Sequence, residues 1–142
     1  MAASVRYDDV EVDTRLPEQT FPIQRVDLIR YAGASGDFNI IHWNERVAKS
    51  VGLPNVIAHG MFTMAQAARV ITDWVGDPGA VVDYAVRFTK PVVVPDDDVG
   101  ATLVVSGTVT EKLHGNRVGI DITATSGAER VLAKARAVVQ LA

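Results

Sequence analysis

The chain has 142 residues, 48% of them hydrophobic and 22% charged, with no cysteine. A chain of this length folding as one domain buries roughly 68–70% of its unfolded surface and needs no covalent staple. Without cysteine there is no disulfide, thiolate nucleophile or cysteine metal site, and a net charge of −3 with no Lys/Arg run gives no electrostatic reason to bind nucleic acid.

The opening "MAASVRYDDVEVD" lacks the basic-then-apolar pattern of a signal peptide. No apolar run reaches the ~18 residues of a membrane span. Together with the missing cysteines, this reads as a cytoplasmic protein with no membrane partner. No period of 20 to 50 residues repeats and no low-complexity linker divides the chain, so one domain over residues 1–142 is the expectation.

After a short extended lead, "RVDLIRYAG" reads as a short helix that ends at Gly33, with Leu28 and Tyr31 at i, i+3. "GDFNIIH" then has turn-prone composition rather than a period. "NERVAKSVG" adds two helical turns, stopped by Gly52 with Pro54 just beyond. "AHGMFTMAQAARVITDWVG" is small or apolar on most faces from Met61 to Val75 and is terminated by Gly76 and Pro78, the pattern of a buried helix.

The second half changes period. "VVDYAVRFTKPVVV", "ATLVVSGTVTEKL", "RVGIDITATSG" and "ERVLAKARAVVQLA" are rich in Val and Thr and alternate at spacing two. Val118, Ile120, Ile122 and Ala124 share one face of a strand; Val131, Ala133, Ala135, Ala137 and Val139 share a face of the next. Turn residues at His114–Asn116 and Ser126–Glu129 join the last three strands into an antiparallel meander. A long buried helix and such a sheet give an α+β architecture, with the sheet wrapped around the helix.

Chemistry concentrates between the helices. Asp37 and His42 lie close together in a loop, and a carboxylate beside an imidazole supplies an acceptor and a titratable donor near neutral pH, the minimum for acid–base work on one water. The alternative is that Asp37 or Asn39 caps the following helix and His42 is a satisfied, partly buried histidine. A metal reading would add Glu45 and His59, but these residues form no recognised ligand spacing. Gly60 stands at the mouth of the apolar helix, where unpaired backbone N–H groups and the helix dipole favour an anion. A carbonyl docked on its N–H would place an oxyanion hole beside the acid–base pair; otherwise Gly60 merely starts the helix or lets it pack.

At this point the residues resemble a known family. "YAGASGDFNIIHWNERVAK" is similar to the signature of MaoC-like (R)-specific enoyl-thioester hydratases and dehydratases, a Gly-Asp-x-Asn-Pro-(apolar)-His pattern carried on the hotdog fold. The likeness continues through "VGLPNVIAHGMFTM", "WVGDPGAV" and "VRFTKPVVVP". It implies an antiparallel sheet around a long central helix, Asp37 and His42 as the catalytic pair, Asn39 supporting the loop, and Gly60 with His59 at the thioester carbonyl. It also implies that no metal or cofactor is used, because the thioester itself acidifies the alpha carbon. The substrate would be an acyl thioester on coenzyme A or acyl carrier protein, handled by a dimer formed with a second copy or with a related hotdog subunit. Ile40 replaces the usual proline, which removes loop rigidity but no chemical group.

Two other readings remain within reach of the same residues. Hotdog thioesterases carry a carboxylate on the central helix, where this chain has none before Asp73. A non-catalytic acyl-binding subunit has no need of Asp-x-Asn-x-x-His. Elsewhere, Trp43 and Trp74 read as packing or interface aromatics and His114 as part of a solvated turn. Arg46, Lys49, Arg87 and Lys90 read either as a solvated face or as contacts to a phosphopantetheine arm or an acidic carrier.

Overall fold

The computed structural model describes residues 3–142; Met1 and Ala2, at the head of the expected 1–142 domain, lie outside the described residues. The elements run β1 (Arg15–Ile23), α1 (Arg25–Ser35), α2 (Glu45–Ser50), α3 (Gly60–Val75), β2 (Val81–Phe88), β3 (Ala101–Leu113), β4 (Arg117–Ser126), β5 (Glu129–Arg130) and β6 (Leu132–Gln140). One antiparallel sheet has the order β1-β3-β4-β6-β2, with the short β5 on β4. Its inward face wraps α3, as the α+β reading and the hotdog resemblance expected.

The strands follow from alternation. Along β3, Ala101, Leu103, Val105 and Val109 point inward, and along β4 Val118, Ile120, Ile122 and Ala124 are each no more than 1% exposed. At about 1.5–3 kcal/mol per fully buried large aliphatic side chain, this shared face is the main favourable contribution to folding.

The strand β1 is absent from the sequence reading, which left this stretch as an extended lead. Its two prolines disguise it: Pro17 falls in a register irregularity between Leu16 and Gln19, and Pro22 lies on the sheet edge. These are the places where a residue without an N–H is tolerated in a sheet.

Three further boundaries differ from expectation. The helix α1 passes through Gly33 to Ser35 and ends on Gly36, which takes the left-handed conformation (φ 77°) of a helix C-cap. The strand expected over "VVDYAVRFTKPVVV" stops at Phe88; beyond Pro91 the chain leaves the sheet. The last strand is interrupted at Val131, and a kink at Lys134 (φ 47°) shifts its alternation, so that Leu132, Ala135, Ala137 and Val139 are the buried positions and Ala133 is not. The meander itself is as expected. The helix α3 is less enveloped than its composition implied: Phe62, Thr63, Ala67, Val70, Ile71 and Val75 are buried, whereas Met61 is 57% exposed.

Where the chain leaves the sheet matters for the site. Residues 92–94 run antiparallel to residues 56–58, with Ala58 N–H donating to Val92 O (2.9 Å) and Val94 N–H to Val56 O (2.9 Å). This short pairing fixes the approach to α3. Arg25 locks it from outside, donating to Val94 O (2.5 Å) and to Asn55 Oδ1 (2.7 Å).

Candidate active site

The loop between α1 and α2 is shaped by its own side chains. Asp37 Oδ1 accepts from Asn39 N–H (3.1 Å), and Asn39 Oδ1 accepts from Ile41 N–H (3.3 Å), starting the 3₁₀ turn Ile40–His42. Asn44 then caps α2 by accepting from Val47 N–H (3.0 Å). These side-chain-to-backbone bonds are the usual way Asp and Asn stabilise turns. Both bland and functional readings of the loop therefore meet here: Asn39 does cap, and the turn it caps delivers His42 inward.

His42 is 8% exposed and its Nδ1 lies 2.7 Å from Ile57 O. A carbonyl only accepts, so Nδ1 carries the hydrogen and the neutral ring offers its Nε2 lone pair elsewhere. Ile57 also donates its own N–H to Ile41 O (3.4 Å), tying the two loops together. A carboxylate oxygen of Asp37 and one ring nitrogen each of His42 and His59 all lie within 4.8 Å of one another. Asp37 is exposed.

His59 departs from its expected place at the thioester carbonyl. It is 1% exposed, its Nε2–H donates to Asp37 O (3.0 Å), and its ring stacks on His42 with centroids 3.8 Å apart and planes 23° apart. On its other side stands Tyr31, 4.7 Å between centroids. The family resemblance had implied substrate contact for it; in the structure the ring lies against Asp37 and His42. Burial holds its pKa below the ordinary histidine value, although its bond to Asp37 O pulls the other way.

A pocket of about 290 Å³ opens beside these groups, lined by His42, Ile57, Gly60, Thr63, Phe88 and Lys90 among others. Gly60 is the first residue of α3, which no side chain caps, so the helix's leading N–H groups are available to a ligand. A Cβ at Gly60 would lie 3.2 Å from the Phe88 ring; glycine is thus what lets the aromatic wall of the pocket approach the helix terminus. Thr63, 4% exposed, lines the pocket one turn further along and went unnoticed in the sequence. The available signal was a lone hydroxyl on the apolar side of a helix, three residues past Gly60. Lys90 lines the same pocket, whereas Glu45, weighed as a metal ligand, is bonded to Lys49 (2.6 Å) and Arg25 (3.4 Å) away from it.

The cluster of Asp37, His42 and His59 is ill suited to a metal. Imidazole binds a cation along its ring plane at about 2.0–2.1 Å. Two rings stacked nearly parallel cannot aim their lone pairs at one point, and each already commits one nitrogen to a backbone carbonyl. What the arrangement can do is acid–base chemistry: a carboxylate and a neutral imidazole beside a pocket that ends on free helix N–H groups.

Comparison with known proteins supplies the family. The model of the MaoC like domain matches residues 9–127. The chain belongs to this family. Within 79 residues it is 44% identical to 3-hydroxyacyl-thioester dehydratase X of Mycobacterium tuberculosis, covering 56% of this chain and 27% of that protein. It is 36% identical over 91 residues to the (R)-specific enoyl-CoA hydratase of Rhodospirillum rubrum, covering 63% of this chain and 62% of that one. A solved MaoC-like dehydratase superposes with a TM-score of 0.95 at 37% identity, over 99% of this chain and 44% of that chain. The MaoC-like match thus spans about a quarter to just under two thirds of these two curated relatives. With these relatives the fold is the hotdog fold, and among the described residues no helix is long and apolar enough to cross a membrane.

Proposed function

We propose that the chain is a MaoC-like hydro-lyase that adds water to trans-2-enoyl thioesters, and removes it from (3R)-hydroxyacyl thioesters, on coenzyme A or acyl carrier protein. The observation that carries this reading is the Asp37 carboxylate within 4.8 Å of imidazole nitrogen, beside a pocket closed by the uncapped start of α3. Dehydratase X and the (R)-specific hydratase bear names for this reaction in its two directions. Residues 1–142 act in it as one hotdog domain.

In hydration, one water sits between the Asp37 carboxylate and the His42 Nε2 lone pair. Its oxygen adds to C3 as its proton is taken up by the pair, and C2 receives a proton from the same side. The thioester carbonyl develops enolate character and is held by the Gly60 N–H. Dehydration reverses each step: the pair removes the C2 proton and returns one to the departing hydroxyl, which leaves as water. The step fits fatty-acid synthesis, where 3-hydroxyacyl thioesters lose water.

The active unit is a dimer with a second copy or a related hotdog subunit. Phe38 (64% exposed), Met61 (57%) and Phe88 (49%) surround the site with uncovered apolar surface, and β2 is a sheet edge. Light scattering at low micromolar concentration tests this, and a fully active monomer would refute it.

Thioester hydrolysis is the competing reading. Loss of enoyl absorbance without release of free thiol supports hydration; stoichiometric thiol release overturns it.

A further inference from the structure

The stacked histidines do different jobs, and we infer that His59 is a permanently neutral positioning residue that holds Asp37 in register with His42 through the Asp37 backbone carbonyl. This rests on the hydratase reading of Asp37 and His42.

The inference begins with the loop. Residues 33–40 are all exposed, and residues 36–39 make hydrogen bonds that reach no more than five residues along the chain, with one exception among the described residues. The exception is His59 Nε2–H to Asp37 O, across 22 residues. With Ile40 in place of a proline, the loop has no ring to stiffen it. One buried imidazole therefore ties the carboxylate-bearing residue to the base of α3, whose first N–H groups face the pocket.

The nitrogen assignments complete the case. Because Asp37 O can only accept, His59 Nε2 bears the hydrogen and Nδ1 is bare. That Nδ1 is buried with no hydrogen-bond partner among the described residues. Protonating it would create a donor with nothing to receive it and would set a cation against the His42 ring at 3.8 Å. The other groups facing His59 are the Tyr31 ring on α1 and Asp37, whose carbonyl is already engaged and whose carboxylate, with an oxygen within 4.8 Å of a His59 ring nitrogen, favours a cation but less than burial opposes one. His59 is thus confined to one tautomer and one charge, while His42, whose Nδ1–H is fixed on Ile57 O, keeps a free Nε2 for the moving proton.

The test joins spectroscopy to kinetics. Nitrogen-15 spectra of the wild-type side chains should show His59 as the neutral Nε2–H tautomer throughout about pH 5 to 8, the range in which free histidines titrate. His59→Leu removes the donor and should lower kcat on an enoyl thioester about 10²-fold, the scale for a reacting group displaced by about 1 Å, with KM nearly unchanged. His59→Gln, neutral and with an N–H at similar reach, should stay within about threefold of wild type. A protonating His59, an Nδ1–H tautomer, or a folded His59→Leu with wild-type kcat overturns the proposal. If His59→Leu fails to fold, a folded His59→Gln as impaired as Asp37→Asn overturns it equally. A wild-type protein inert toward enoyl thioesters sinks the hydratase reading instead, and the spectra still decide the state of His59.

Discussion

The His42 and His59 rings lie face to face, 3.8 Å between centroids, yet each gives its N–H to a different loop: His42 to Ile57 O and His59 to Asp37 O. The stack thereby joins the 3₁₀ turn that carries His42, the loop that carries Asp37 and the start of α3 in one buried contact. Deleting different members of this contact should have separable effects.

Replacing the chemical groups should abolish turnover without unfolding the protein. Asp37 is exposed and makes only a local bond through its carboxylate, so Asp37→Asn leaves the core intact. General acid–base groups contribute about 10²–10⁴-fold, and Asp37→Asn and His42→Ala should each lose that much in kcat. Circular dichroism and enoyl absorbance together check this; more than about a tenth of the wild-type rate in a folded variant removes that residue from the chemistry.

Gly60 should be irreplaceable for two reasons that the same variants can separate. Gly60→Val crowds the α3 N–H groups and drives a side chain into the Phe88 ring, which already lies 3.2 Å from where a Cβ would be. A loss of about 10²-fold or more is expected, the scale of a missing oxyanion donor. Adding Phe88→Ala relieves the crowding; recovery of stability without recovery of rate marks the N–H contribution, and full recovery of rate would assign the defect to packing.

Burial of His59 makes stability depend on pH. Its folded pKa is depressed, so below the ordinary histidine value of about 6.5 the unfolded chain binds a proton that the folded chain does not. Stability is therefore held above that value and falls as pH drops toward the folded pKa. His59→Gln has nothing to titrate there, so the gap between variant and wild-type melting temperatures should shift in favour of the variant between pH 8 and pH 5. An unchanged gap would mean that His59 is not buried neutral.

Tyr84 ties the edge strand β2 to the central helix. Its hydroxyl donates to Met64 O (2.8 Å), and burial pushes its pKa up to about 12, so it stays a donor at every physiological pH. Tyr84→Phe should cost about 0.5–1.5 kcal/mol in urea unfolding, the net value of one such bond, and leave kcat alone because the ring lies outside the pocket.

How much of this was legible in the sequence depends on how local the signal is. The Asp37-to-His42 loop and Gly60 stood out as candidates because turn-prone composition and a helix start are short-range signals, while the roles proposed for them came from the family resemblance. The alternation along β4 marked the core directly. By contrast, β1 was hidden because Pro17 and Pro22 are poor strand residues that an edge excuses only once the partner β3 is known. The end of β2 was overrun because Val92–Val94 is as β-prone as the strand itself; its pairing with residues 56–58 is a tertiary fact. The role of His59 could not be read from spacing, since its partners, Asp37 O and the His42 ring, lie 22 and 17 residues away. Asp37's placement near His42 was expected; that a second histidine braces it was not.

The most direct measurement of the central claim is chiral analysis of the product formed when the purified protein, with whatever subunit co-purifies, is given a trans-2-enoyl thioester. With Asp37 and His42 acting together as proposed, water should add to a single face, and the proposed activity makes that product the (3R)-hydroxyacyl thioester, with no free thiol. A (3S) or racemic product, thiol release, or unchanged substrate would contradict the account.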